Sequence, residues 1–96
     1  MEISKSDIVI SLAGHDKGKL FYVLDTDGVY VTLANGKQRK VETPKRKKCV
    51  HVRKVLRPDS TLAEKIRSGE QILNSELRRE LAIFSREITV STKEGS

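Results

Sequence analysis

The sequence predicts a small, mainly β domain followed by a C-terminal helical extension. Two observations carry this. Eight of the nine valines lie before position 58, in short apolar runs separated by Gly, Asp and Asn turn residues. Beyond Pro58, apolar residues recur at helical spacing, as in Leu62 and Ile66 or Leu77, Leu81 and Phe84. Ninety-six residues leave room for one domain. Leu, Ile, Val and Phe supply 27 of them, above the roughly 20% floor typical of disordered chains, so the chain should fold.

The elements follow in order. Residues 8–13 read as a first strand closed by Gly14, and residues 20–24 as a second. Asp25-Thr26-Asp27-Gly28 turns the chain into a third strand over 29–33. Asn35-Gly36 reads as a two-residue type I′ hairpin turn, which places a fourth strand at 37–43. Pro44 and a Lys45–Lys48 loop then lead to a fifth strand over 49–56. Five short strands describe a small barrel or sandwich, and a barrel suits this length because closure leaves no edge strand. Phe21 and Tyr22 are adjacent, so they face opposite ways and at least one belongs to the core.

Pro58-Asp59-Ser60 marks the boundary to the helices. Thr61 with Glu64 forms a capping-box pattern, and Gly69 is the matching stop. A second helix is predicted over 74–86, with Arg78, Arg79, Glu80 and Arg86 forming an ordinary solvated face of mixed sign. The organisation is thus a barrel over 1–57, a helical extension over 58–90 that covers one open end, and a flexible tail over 91–96.

Charge points to the partner. The chain carries +6, with thirteen basic and six acidic residues up to position 57, and six basic and seven acidic beyond it. Residues 37–57 hold ten cations (Lys37, Arg39, Lys40, Lys45, Arg46, Lys47, Lys48, Arg53, Lys54, Arg57) against the single acid Glu42. One isolated lysine is a solvated surface charge. This density repels itself unless a polyanion such as a phosphate backbone relieves it, so a polyanionic partner, nucleic acid or an anionic lipid surface, is expected. If Val50 and Val52 fill the core, strand alternation puts Cys49, His51 and Arg53 on the other face, and His51 and Arg53 then join the Lys45–Lys48 loop on one solvent surface. Only four aromatics are present, which argues against a base-stacking platform and for recognition by shape and backbone contact.

Other chemistries lack their residues. A lone Cys49 excludes an internal disulfide, and with His51 and His15 it falls short of a four-ligand zinc site. Between Gly14 and Gly18 only three residues intervene, and Leu20 rather than Ser or Thr follows Lys19, so the phosphate-loop pattern fails. Asp25 and Asp27 read as turn formers. No enzymatic activity, cofactor, metal or small-molecule substrate is expected. No apolar run approaches a membrane span, and no signal-type segment follows Met1, so a cytoplasmic protein is expected.

The stretch Asp7-Ile8-Val9-Ile10-Ser11-Leu12-Ala13-Gly14-His15-Asp16-Lys17-Gly18-Lys19-Leu20-Phe21-Tyr22-Val23-Leu24 resembles a KOW motif: strand, Gly-x-x-x-Gly-Lys loop, strand. The continuation through Asn35-Gly36-Lys37 to Pro44-Lys45-Arg46-Lys47-Lys48 is similar to bacterial KOW-domain RNA-binding proteins of the e-type L-fourteen ribosomal group. The resemblance covers residues 5–57. It implies an SH3-like β-barrel that binds RNA, often ribosomal, with Gly14 and Gly18 shaping the loop and Lys17 and Lys19 reaching phosphate. Charge adds Lys37, Arg39, Lys40, Lys45, Arg46, Lys47, Lys48, His51 and Arg53. The helical extension departs from the minimal KOW unit, and a protein-interaction module docking on transcription or translation machinery is the other reading left open.

Overall fold

The computed structural model describes residues 2–94, with side chains through Glu87. Strands β1 (Ile8–Ser11), β2 (Leu20–Thr26), β3 (Tyr30–Ala34), β4 (Lys45–Lys48) and β5 (Val52–Leu56) precede helices α1 (Thr61–Ser68) and α2 (Asn74–Glu94). The strands form one antiparallel sheet in the order β4-β3-β2-β1-β5. The chain is therefore mainly β with C-terminal helices.

Both faces of the sheet are apolar, which is why the strands read as runs rather than alternations. Ile8, Tyr22 and Ala34 point to one face and meet Leu62, Ala63 and Ile66 of α1, Ile72, and Leu77 and Leu81 of α2. Val9, Phe21, Val23, Val31, Leu33 and Val52 point to the other. Phe21 and Tyr22 are thus both core, in separate clusters. Each such large side chain, fully buried, contributes about 1.5–3 kcal/mol.

Among the described residues, no helix side chain packs on the second face. The sheet encloses it by curling, with Ile3 and Cys49 packed against it. Register shifts between Ile8 and Val9 and between Val23 and Asp25 mark the bends. Lys47 measures the curl. Its strand lies three places from β1, roughly 14 Å away in a flat sheet. Yet its Nζ donates to Ser11 Oγ at 2.7 Å and to the Ala13 carbonyl at 2.8 Å.

Several expectations are corrected. Among the described residues β4 and β5 share no ladder; a 3₁₀ turn (Cys49–His51) joins these two edges, so the sheet is curled but not closed into a barrel. Residues 37–43 are not a strand, because Asn35 folds the chain on itself. Its Oδ1 accepts from the Lys37 and Arg39 amides at 3.0 Å each, and its own amide donates to the Arg39 carbonyl at 2.8 Å. Lys45–Lys48 is not a loop but the strand that pairs with β3. The 3₁₀ turn breaks the expected alternation, leaving Val50 77% exposed while Val52 is buried.

α1 begins one residue earlier than the capping-box pattern places it, while α2 begins at Asn74 as expected. Ser60, not Thr61, is the N-cap, its Oγ accepting from the Ala63 amide at 3.1 Å, and Gly69 ends α1 in a left-handed conformation. Ser60 Oγ also donates to Glu80 Oε1 at 2.8 Å, and the Tyr22 hydroxyl donates to the same oxygen at 2.8 Å. Glu80 is therefore half-buried and structural, not part of a solvated face. Burial pushes the Tyr22 phenol pKa above its ordinary value, and the Glu80 hydrogen bond adds to the rise, so the hydroxyl keeps its donor proton. α2 runs to Glu94, past the expected end at Arg86. Residues 95 and 96 of the expected flexible tail lie outside the described residues.

Candidate nucleic-acid interface

The loop between β1 and β2 is the centre of the site. Gly14 and Gly18 have φ of 77° and 86°, in the left-handed region that side chains resist. The Gly18 amide donates to the Ser11 carbonyl at 2.8 Å, which folds the loop back on its own strand.

Two of the expected RNA-binding cations grip this loop from either side. Lys47 holds its start through Ser11 and Ala13. Arg39 holds its middle, with Nε at 3.2 Å and Nη2 at 3.0 Å from Asp16 Oδ2, and Asp16 is only 5% exposed. Lys19 lies at 4.0 Å from the other Asp16 oxygen. The positive charge of Arg39 is therefore neutralised internally, and the Lys47 ammonium is engaged by oxygens of the loop. Lys47→Met keeps the bulk but removes the donors, so it should cost about 1–2 kcal/mol, read as a drop of several degrees in melting temperature.

The remaining candidates divide by partner. Arg46 donates to Asp27 Oδ2 at 3.1 Å and lies 4.2 Å over the Tyr30 ring. Asp27 is a turn former, accepting from the Tyr30 and Val29 amides at 2.7 and 2.9 Å; these bonds chiefly, then Arg46, hold its carboxyl below the usual range. Lys40 is exposed beside Glu42, whose carboxyl is held low chiefly by its hydrogen bond from Asn74, then by a backbone hydrogen bond, with the Lys40 charge the least of these causes. Lys45 is half-buried opposite Leu33. Lys17, Lys37, Lys48, His51 and Arg53 are exposed and have no carboxylate partner among the described residues. Lys54 and Arg57 pair at 3.5 and 3.0 Å with Asp7, which is fully buried.

No model of a known protein family matches this chain, and no curated protein does.

The surface itself therefore defines the site. It holds no three His, Cys, Asp or Glu side chains grouped to bind a metal among the described residues, and Cys49 and His51 part company, one half-buried and the other exposed. No described helix is long and apolar enough to cross a membrane. Sequence reasoning missed Arg78, whose Nη1 donates to the Gly36 carbonyl at 2.7 Å and brings α2 against the basic loops. Nothing in a helix surface of mixed charge signals that contact.

Proposed function

We propose that this chain is a non-catalytic, cytoplasmic RNA-binding domain of the KOW type, acting on ribosomal or other structured RNA. The observation that carries the reading is the set of exposed cations without carboxylate partners among the described residues: Lys17 on the β1–β2 loop, which an ion pair and hydrogen bonds hold rigid, Lys37 on the loop after β3, Lys48 at the end of β4 and Arg53 on β5. Such charges displace counterions from phosphates, while a rigid support fixes their spacing. The strand order and the 3₁₀ turn between β4 and β5 support an SH3-like reading of the curled sheet.

The test is salt. With about five phosphate contacts, log affinity for a structured RNA should fall with log salt at a slope of roughly −4. A flat response overturns the mechanism. The reading as a protein-docking module is favoured by the exposed Val29 and Val50, joined where the Cys49 amide donates to the Val29 carbonyl at 2.8 Å. Protein purified without bound nucleic acid, and indifferent to added RNA, would turn the assignment to that reading.

A further inference from the structure

The extension lines a site as well as covering the sheet. Asn74 Oδ1 accepts from the Val41 amide at 2.9 Å, and Arg78 reaches the Gly36 carbonyl, so the first turns of α2 are pinned to the loop that follows β3. Between this helix and the loops at 14–19 and 35–40 runs a groove of about 470 Å³. Leu20, Leu81 and Ala82 give it an apolar wall, and Lys19, Lys37 and Arg78 bring three cations to it. No carboxylate lines it, and Asp16 on the adjoining loop is buried against Arg39.

That combination is selective. An apolar wall beneath a cationic rim suits a flat, weakly polar ring bearing a phosphate, and the volume falls within the range of small-ligand clefts, about 300–1,000 Å³. Gln38 also lines the groove; its Oε1 accepts from Asn35 Nδ2 at 3.0 Å, which leaves its Nε2 donors for a base edge. A base inside a duplex cannot enter, since its faces are stacked and its edge is paired. Only an unpaired nucleotide can.

Resting on the RNA reading above, we propose that this groove takes one unpaired nucleotide of the bound RNA. Its phosphate lies between Lys37 and Arg78, and its base rests against Leu20, Leu81 and Ala82. α2 then confers a preference for bulged or looped RNA over uninterrupted duplex.

The test compares a perfect RNA hairpin stem with the same stem carrying one bulged nucleotide, by fluorescence anisotropy at fixed salt. Four proteins are used: wild type, Ala82→Glu, Ala82→Gln and Lys37→Ala. Ala82 is exposed, so both Ala82 variants should melt with the wild type, and the Gln form controls for added bulk. Lys37→Ala, at a loop side chain without an ion pair among the described residues, tests the groove at a second position. The wild type should prefer the bulged RNA by about tenfold. Ala82→Glu should erase that preference, because a carboxylate then stands in the seat of the base, one helical turn from Arg78 and able to compete with the phosphate for it, while changing stem affinity by less than about threefold. Equal wild-type affinity for the two RNAs, or a preference that survives both Ala82→Glu and Lys37→Ala, overturns the groove and leaves RNA binding standing. Wild type that binds neither RNA overturns the parent reading as well.

Discussion

Replacing Gly36 by alanine should destabilise the protein by about 2–6 kcal/mol and lower its melting temperature by at least about 8 °C. Gly36 sits at φ 76°, and a Cβ built there would overlap the Asn74 carbonyl at the start of α2 and come within 3.2 Å of Arg78 Cγ. Two costs therefore add. A side chain at positive φ costs about 1–3 kcal/mol, and forcing bulk into a packed contact costs about 1–3 kcal/mol more. Relief would require α2 to lift, which would strain the Asn74–Val41 and Arg78–Gly36 hydrogen bonds together. Gly18 is the control. It has the same kind of backbone, φ 86°, but a Cβ there meets nothing within 4 Å, so Gly18→Ala should cost only about 1 kcal/mol. Thermal melting of the two variants checks this; equal destabilisation would mean that the packing of α2 on Gly36 contributes nothing.

Changing Lys17, Lys37, Lys48 and Arg53 together to glutamine should lower affinity for structured RNA by about 100-fold at moderate salt while leaving the melting temperature within a few degrees. None of the four has a carboxylate partner among the described residues, so folding is little affected. Removing a single phosphate-binding cation should flatten the salt slope by about 0.7–0.9. Arg39→Gln should do the reverse, lowering the melting temperature by stranding the buried Asp16, with a smaller drop in affinity. Salt titrations and melts of both proteins decide. If Arg39→Gln abolishes binding and the quadruple variant binds normally, the division between internal and free cations is wrong.

That division explains why Lys45–Lys48 misleads as a sequence. Four adjacent cations after a proline read as one exposed loop with one purpose. In the fold they form a strand whose side chains alternate. Lys45 and Lys47 share the face of Val31 and Leu33, where Lys47 closes the curl, while Arg46 and Lys48 share the face of Tyr30 and Thr32. Neutralising all four would confound stability with binding. The Asn35-Gly36 pair misleads for a related reason. Its type I′ signal assumes a strand immediately after it, but Asn35 satisfies the amides of Lys37 and Arg39 with its own side chain, and α2 occupies the space beside Gly36.

What the sequence determines alone is what short-range chemistry controls. Apolar runs that fit strands, the break at Pro58, the stop at Gly69 and the Leu77–Leu81 stripe all depend on neighbours within one or two turns of chain. Tertiary structure decides which cations remain free, because the carboxylates that neutralise them are remote: Asp16 lies 23 residues from Arg39, Asp27 lies 19 from Arg46, and Asp7 lies 50 from Arg57. It likewise decides that a polycationic tetrapeptide is a strand, since the edge of β3 supplies backbone partners and the curl of the sheet carries Ser11 and Ala13 to Lys47. Ion pairs and hydrogen bonds of that kind depend on distance through space, which chain spacing does not encode until the sheet has bent.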